Sequence, residues 1–208
     1  PNRPQIDFRL GEAYDWYAVQ IMAYESAKAE SAYKEATRIH QDLINRFPSN
    51  SEFKHELARV YNNRAILLSG DASRIKEAEE SFRQAVALFD ALTVERRDHN
   101  DKWRLSRTLN GLAGLLKHSG RGDESSHTYR QAIDIMGVLL EIEPNKREYR
   151  EGLARFYNNL ANLQVLQGQF NQALRTNTQA RTRFEELAQA IPELRNEIAN
   201  SNNTRGVI

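Results

Sequence analysis

The sequence contains no cysteine, which excludes disulfides, thiolate metal sites, iron–sulfur clusters and a cysteine nucleophile. Its 208 residues include only 10 glycines and 5 prolines, a composition that favours long helices over many-stranded sheets. Neither sign of charge dominates, since 29 Lys and Arg stand against 28 Asp and Glu. No apolar run approaches the ~20 residues of a membrane-spanning helix. We therefore expect neither a nucleic-acid partner nor a membrane partner.

What the sequence does contain is an internal repeat of 48 residues. Three asparagines recur at this interval within segments that align without a gap: Asn62, Asn110 and Asn158. Prolines keep the same period at Pro48, Pro144 and Pro192, and Arg96 stands where one more is expected. The chain is therefore interpreted as a series of repeated units and not as one or two ordinary globular domains.

The repeat sets the predicted domain organisation. We expect three full repeats with partial repeats on either side, bounded as follows: 1–48 (N-terminal helices and a degenerate repeat), 49–96, 97–144 and 145–192 (full repeats), and 193–208 (the start of a truncated repeat). Together these segments predict a single solenoid over residues 1–208 that is a fragment of a longer protein.

Each repeat is predicted to form two helices, because its apolar residues lie three and four positions apart. Capping boxes are expected at the start of the first helix, from Ser49 with Glu52 and from Asn145 with Glu148. A glycine with positive φ is expected to end each first helix: Gly70, Gly120 and Gly168. Two columns of alanine predict close contacts between helices: Ala65, Ala113, Ala161 and Ala85, Ala132, Ala180.

The third repeat resembles a tetratricopeptide repeat (TPR). It contains that family's series of small residue, turn glycine, aromatic, two alanines and proline: Ala161, Gly168, Phe170, Ala173, Ala180 and Pro192. The Asn-Asn doublets at 62–63 and 158–159 resemble the long repeats of kinesin light chains. The segment 149–160 is similar to the TPR regions that follow the kinase domain in some bacterial serine/threonine kinases. The resemblance implies an all-α fold, an alpha-alpha superhelix of antiparallel helix pairs.

In that family, ligands usually contact the concave face lined by the first helices. The resemblance therefore implies a peptide-binding set that recurs from repeat to repeat: Arg59, Asn62, Asn63, Arg107, Asn110, Arg155, Asn158, Asn159 and Asn162. A further column of the same face contains Ile66 and Gly114 beside Asn162. Asparagine can donate to and accept from a peptide backbone, and arginine presents a planar fork to carboxylates. The alternative is that these residues fix the stacking, with arginine bridging acidic groups of a neighbouring helix.

No catalytic motif is found, and the five histidines have no metal-ligand spacing, so they are interpreted as surface residues. We expect no enzyme activity and no cofactor or metal. From Gly152 through Phe184 the only charged residues are arginines, which favours an acidic peptide as partner. The leading hypothesis is a cytoplasmic, non-catalytic protein-interaction scaffold, a regulatory or targeting region of a larger bacterial protein such as a serine/threonine kinase. The alternative is a structural or oligomerisation segment that stacks on itself or on a neighbouring domain without a peptide ligand.

Overall fold

The computed structural model describes residues 3–190, which form eight α-helices, one short 3-10 helix and no strand. The α-helices are α1 (Pro4–Ile21), α2 (Ser26–Arg46), α3 (Ser51–Leu68), α4 (Ile75–Glu95), α5 (His99–His118), α6 (Gly122–Ile142), α7 (Arg147–Leu166) and α8 (Phe170–Ala190). The all-α prediction is therefore confirmed. The expected start of a further repeat at 193–208 lies outside the described residues.

The chain divides into two compact units, with unit 1 ending at Thr108 and unit 2 beginning at Leu109, inside α5. In unit 1, α1 packs on α2, α2 on α3 and α3 on α4. In unit 2, α6 packs on α7 and α7 on α8. Consecutive helices joined by short loops form antiparallel hairpins. The single solenoid over 1–208 stays a prediction.

The helix starts differ from the predicted capping boxes by one residue. Asn50, and not Ser49, caps α3, and its side chain accepts a hydrogen bond from the Glu52 amide at 3.0 Å. Ser49 lies within the preceding turn, which the Asn50 amide closes by donating to the Phe47 carbonyl. Lys146 precedes α7 without a side-chain cap, so the box expected from Asn145 is also wrong. Proline follows the end of the previous helix, which it cannot continue, and the turn takes one more residue than expected before the next helix begins.

Two of the three predicted turn glycines have positive φ. Gly120 (φ 74°) and Gly168 (φ 71°) follow α5 and α7, where the left-handed conformation ends a helix at little steric cost. Gly70 does not have positive φ, so that prediction is wrong. The reason lies in the longer turn of this repeat, where the chain continues into the 3-10 helix Ala72–Arg74.

The predicted alanine columns lie in the core. All six side chains are completely buried: Ala65, Ala113, Ala161, Ala85, Ala132 and Ala180. Larger side chains at these places would push the helix axes apart.

Two histidines are buried, which corrects their interpretation as surface residues. His55 on α3 is mostly buried, and His40 on α2 is completely inaccessible to solvent. The His40 ring packs edge-on against Phe8 of α1, with 5.8 Å between ring centroids, and lies over Gly11. Neither ring nitrogen has a hydrogen-bond partner within residues 3–190. Burial lowers the pKa of His40 to about 4. Its place between Ile39 and Leu43, on the apolar face of α2, was the signal available in the sequence.

We expect the free energy of unfolding to fall by about 2 kcal/mol between about pH 7.5 and about pH 5. The unfolded histidine takes up a proton below a pKa of 6.5, whereas the folded one resists protonation down to a pKa of about 4. Stability is therefore full above 6.5 and is lost as the pH falls towards 4. Glu12 of α1 favours protonation of His40 and Arg59 of α3 opposes it. Urea unfolding at a series of pH values measures the slope.

The matched control for this pH dependence is His40→Leu, which replaces the titrating ring by an apolar side chain. Its free energy of unfolding should change much less over the same interval. Equal slopes for the two proteins would assign the acid sensitivity to other groups.

Candidate functional site

A small cavity in unit 1 brings together four of the five predicted site residues of the first two full repeats, all except Asn110. It measures about 90 Å³, and Arg59, Asn62 and Asn63 of α3 and Arg107 of α5 line it. Ile66, from the further column, lies at the same cavity. Positions three and four apart share one side of a helix, which is why the α3 residues reach a common place. Whether these residues bind a ligand stays a prediction.

Two of these side chains also hold α1 in place. Asp15 of α1 is almost completely buried, and Arg59 donates to it at 3.1 Å and Asn63 at 3.0 Å. Arg59 also pairs with Glu56, three residues earlier on α3. Burial raises the pKa of Asp15, while Asn63 and Arg59 oppose that rise by favouring the carboxylate. Arg59 and Asn63 therefore have a structural role in addition to their place at the cavity.

Asn62 connects α3 to α5 at the cavity. Its amide nitrogen donates to the Asn63 side chain at 3.3 Å, and its side-chain oxygen accepts from the Thr108 hydroxyl at 3.2 Å. These bonds orient both amide groups. The cavity thus has a polar wall with defined donors and acceptors.

The sequence analysis missed Arg104, which lines the same cavity. Arg104 and Arg107 both approach the Trp103 ring, with guanidinium carbons 5.4 and 4.8 Å from its centroid. Burial lowers the pKa of Arg104, and the charges of Arg59 and Arg107 lower it further. The available signal was the repeat itself, because Arg104 stands 48 residues after Glu56 and reverses its charge.

In unit 2 the predicted residues lie on α5 and α7. Asn159 of α7 donates to the side-chain oxygen of Asn110 on α5 at 3.0 Å. Arg155 is exposed, Asn162 is half-buried, and the Asn158 side-chain oxygen is buried without a hydrogen-bond partner among the described residues. Two hollows of about 420 and 390 Å³ in this unit are lined by other side chains. The structure therefore brings Asn110 and Asn159 together but does not gather the unit 2 set into one of these hollows.

The arginine-rich stretch of unit 2 is partly neutralised by residues that follow it. Arg181 pairs with Glu185 at 3.2 Å, and Arg183 stacks on Tyr157 at 4.8 Å from the ring centroid. Arg175 is exposed on α8. The positive charge of this region is consequently smaller than the sequence between Gly152 and Phe184 indicates.

Within residues 3–190, no group of three acidic, histidine or cysteine side chains could hold a metal ion. Among the described helices, none combines the length and the apolar character that crossing a membrane requires.

Comparison with known proteins supports the fold. No protein-family model and no curated protein matches the sequence. Among solved structures, BtubC (BKLC) from P. vanneervenii superposes with a TM-score of 0.69 at 16% identity over 90% of this chain. The chain spans 66% of the length of that protein. A designed helical repeat protein, DHR64, and the DHF58 filament align with TM-scores of 0.44 and 0.48, at 16% and 14% identity. The alignment with DHR64 covers 99% of this chain and 96% of DHR64. The alignment with the DHF58 filament covers 96% of this chain and 98% of that chain. The chain has a helical repeat fold.

Proposed function

We propose that the chain is a non-catalytic protein-interaction module of the tetratricopeptide type. It binds an extended or helical peptide segment on the face formed by the first helix of each repeat. The observation that carries the proposal is the unit 1 cavity, because four residues that the resemblance implies as peptide-binding line it: Arg59, Asn62, Asn63 and Arg107.

The chemistry of the cavity supports a peptide with acidic character as the partner. Arginine recognises carboxylates through parallel hydrogen bonds, and asparagine can satisfy both the donor and the acceptor of a peptide backbone. The resemblance to kinase-associated TPR regions supports a regulatory or targeting role in a larger cytoplasmic protein of bacterial origin. We propose no nucleic-acid partner, no membrane partner and no cofactor.

The double variant Arg155→Ala with Asn158→Ala should weaken peptide binding at least tenfold while thermal stability changes little. Arg155 is exposed, and the Asn158 side-chain oxygen has no hydrogen-bond partner among residues 3–190. We therefore expect the two truncations to cost little free energy of unfolding. Peptides selected from a displayed library on the wild-type chain serve as ligands, and calorimetry measures their affinity for both proteins.

Arg83→Ala is the matched control, because this exposed arginine of α4 removes the same charge away from the first helices. Its peptide affinity should equal that of the wild type. If the double variant unfolds instead, these columns are structural. If the library yields no peptide, the binding proposal fails.

One observation favours the alternative, a structural segment that self-associates. Six large apolar side chains are exposed along α1 and the turn that follows it: Ile6, Leu10, Trp16, Tyr17, Val19 and Tyr24. Ile6, Leu10 and Tyr17 lie on one side of the helix, away from the buried Phe8 and Ala18. Light scattering over a range of concentrations separates the two functions, because a chain that stays monomeric contradicts self-association.

A further inference from the structure

The unit 1 cavity contains an arginine, Arg104, with a buried side-chain donor to which no described residue bonds. Arg104 is partly buried, and its Nε atom is inaccessible to solvent and has no hydrogen-bond partner among residues 3–190. Burying a cation without a hydrogen-bonded counter-charge is costly. An acceptor that enters the cavity and bonds the Arg104 Nε–H group would therefore be favourable.

The acidic side chains near this cavity are engaged elsewhere. Glu56 and Asp15 both pair with Arg59, at 2.5 and 3.1 Å. Asp101 pairs with His55 at 2.6 Å and with Arg96 at 3.3 Å. Glu56 and Asp101 lie near enough to favour the charged form of Arg104, but no carboxylate hydrogen-bonds its Nε atom among the described residues. An anion from outside the described residues would supply that acceptor.

The surroundings indicate the kind of acceptor. Arg104 and Arg107 approach the same Trp103 ring, so two guanidinium groups lie close together at the cavity. A phosphate group, which carries about −1.5 to −2 at neutral pH, can accept hydrogen bonds from two adjacent guanidinium groups at once. The volume of about 90 Å³ is roughly three times the share of one water molecule in the liquid, about 30 Å³, which suits a compact group.

We propose that the cavity lined by α3, α4 and α5 in unit 1 binds a phosphate group, held by Arg104 and Arg107. Planar guanidinium forks match phosphate oxygens with parallel hydrogen bonds. Arg107 and Ile66 are exposed at the cavity, so the group can enter from solvent. This inference deepens the proposed function and rests on it for the carrier of the phosphate, a phosphorylated residue of the bound peptide. Free phosphate offers the same chemistry.

The first experiment titrates the full chain with inorganic phosphate at constant ionic strength, with acetate as the singly charged comparison. The NMR signal of the Arg104 Nε–H should shift and saturate with phosphate, and acetate should bind at least tenfold more weakly. Equal, unsaturated shifts with both anions would overturn the proposal.

The decisive variant is Arg104→Glu, because the repeat itself places Glu56 at the equivalent position and pairs it with Arg59 three residues later. The same pairing with Arg107 should keep the helix intact, so the melting temperature should be maintained. Phosphate affinity should fall at least tenfold, and undiminished affinity in the folded variant would refute the site. If this variant does not fold, Arg104→Gln removes the charge without reversing it and is held to the same outcome. Arg83→Glu, an equal charge change on exposed α4, should bind phosphate like the wild type.

The second experiment identifies the carrier of the phosphate. A degenerate library of phosphoserine peptides is compared with its unphosphorylated counterpart and with inorganic phosphate. Phosphopeptides that bind at least tenfold more tightly than both support a peptide-borne group. If inorganic phosphate binds as tightly as every phosphopeptide, the phosphate site stands and the peptide-binding function fails.

Discussion

Replacing Asp101 by alanine should lower the free energy of unfolding by about 3–5 kcal/mol, the range for breaking a buried ion pair from one side. Asp101 lies in the first turn of α5 and its side chain is completely buried. It contacts the His55 Nδ1 atom of α3 at 2.6 Å and the Arg96 Nε atom of the α4–α5 loop at 3.3 Å. Without the carboxylate, the buried His55 ring loses its hydrogen-bond partner, and Arg96 keeps only its ion pair with Asp98 among the described residues.

The loss should also affect the cavity. Asp101 anchors the beginning of α5 to α3, and the same stretch of α5 carries Arg104 and Arg107. Its carboxylate is also favourable at a helix N-terminus, which contributes about 0.3–1 kcal/mol. We therefore expect both stability and anion binding to decrease.

Urea unfolding of Asp101→Ala measures this effect, with Asp90→Ala as the control. Asp90 is an exposed aspartate in α4 of the same unit, and its truncation should change stability by no more than about 0.5 kcal/mol. The double variant Asp101→Ala with His55→Ala should lose less free energy of unfolding than the two single variants lose together, since the two side chains contact each other. Strict additivity, or a small loss for Asp101→Ala, would contradict the assigned contact.

Gly11→Ala should destabilise the protein by about 1–3 kcal/mol or more, although alanine is the better helix former. A Cβ atom at this position of α1 would lie 2.6 Å from the Nε2 atom and 2.7 Å from the Cε1 atom of His40. The imidazole cannot move aside easily, because it is completely buried against α1. α1 would have to separate from α2.

Gly137→Ala is the matched control with the opposite sign. This glycine also lies in a helix, α6, but no atom lies within 4 Å of its added Cβ, so the variant should gain about 0.5–1 kcal/mol. Thermal or urea unfolding of both variants measures the difference. Combining Gly11→Ala with His40→Ala should recover part of the loss. A stabilising Gly11→Ala would show that the two helices are not packed this closely.

The repeat period and the spacing of apolar residues three and four apart were enough to predict the paired helices and the close-packed alanines, because periodic apolar positions must face a neighbour whatever the details of the turn. Helix ends were predicted less well. Asn50 replaced Ser49 as the cap, and Gly70 kept negative φ beside a 3-10 helix, since both depend on the local course of the backbone. Such choices involve one residue or one bond and leave little trace in a periodic pattern.

For the candidate site, the resemblance to tetratricopeptide repeats implied Arg59, Asn62, Asn63 and Arg107, which meet at one cavity. The sequence did not identify Asp15, because its role depends on a contact between α1 and α3. Its partner Arg59 lies 44 residues later in the chain. Arg104 was overlooked because it breaks the repeat, although comparison with Glu56 would have exposed the reversal of charge.

By itself, the sequence determined that this protein is built from paired helices. Each 48-residue repeat carries apolar residues three and four positions apart, and a helical hairpin can bury such a stripe only by packing on another hairpin. Only the tertiary structure decided which polar side chains satisfy one another. Among the described residues, His40 is buried without a hydrogen-bond partner, Asp101 joins α3 to α5, and the Arg104 Nε atom has no acceptor. These pairings depend on distances between helices, which a linear pattern does not contain.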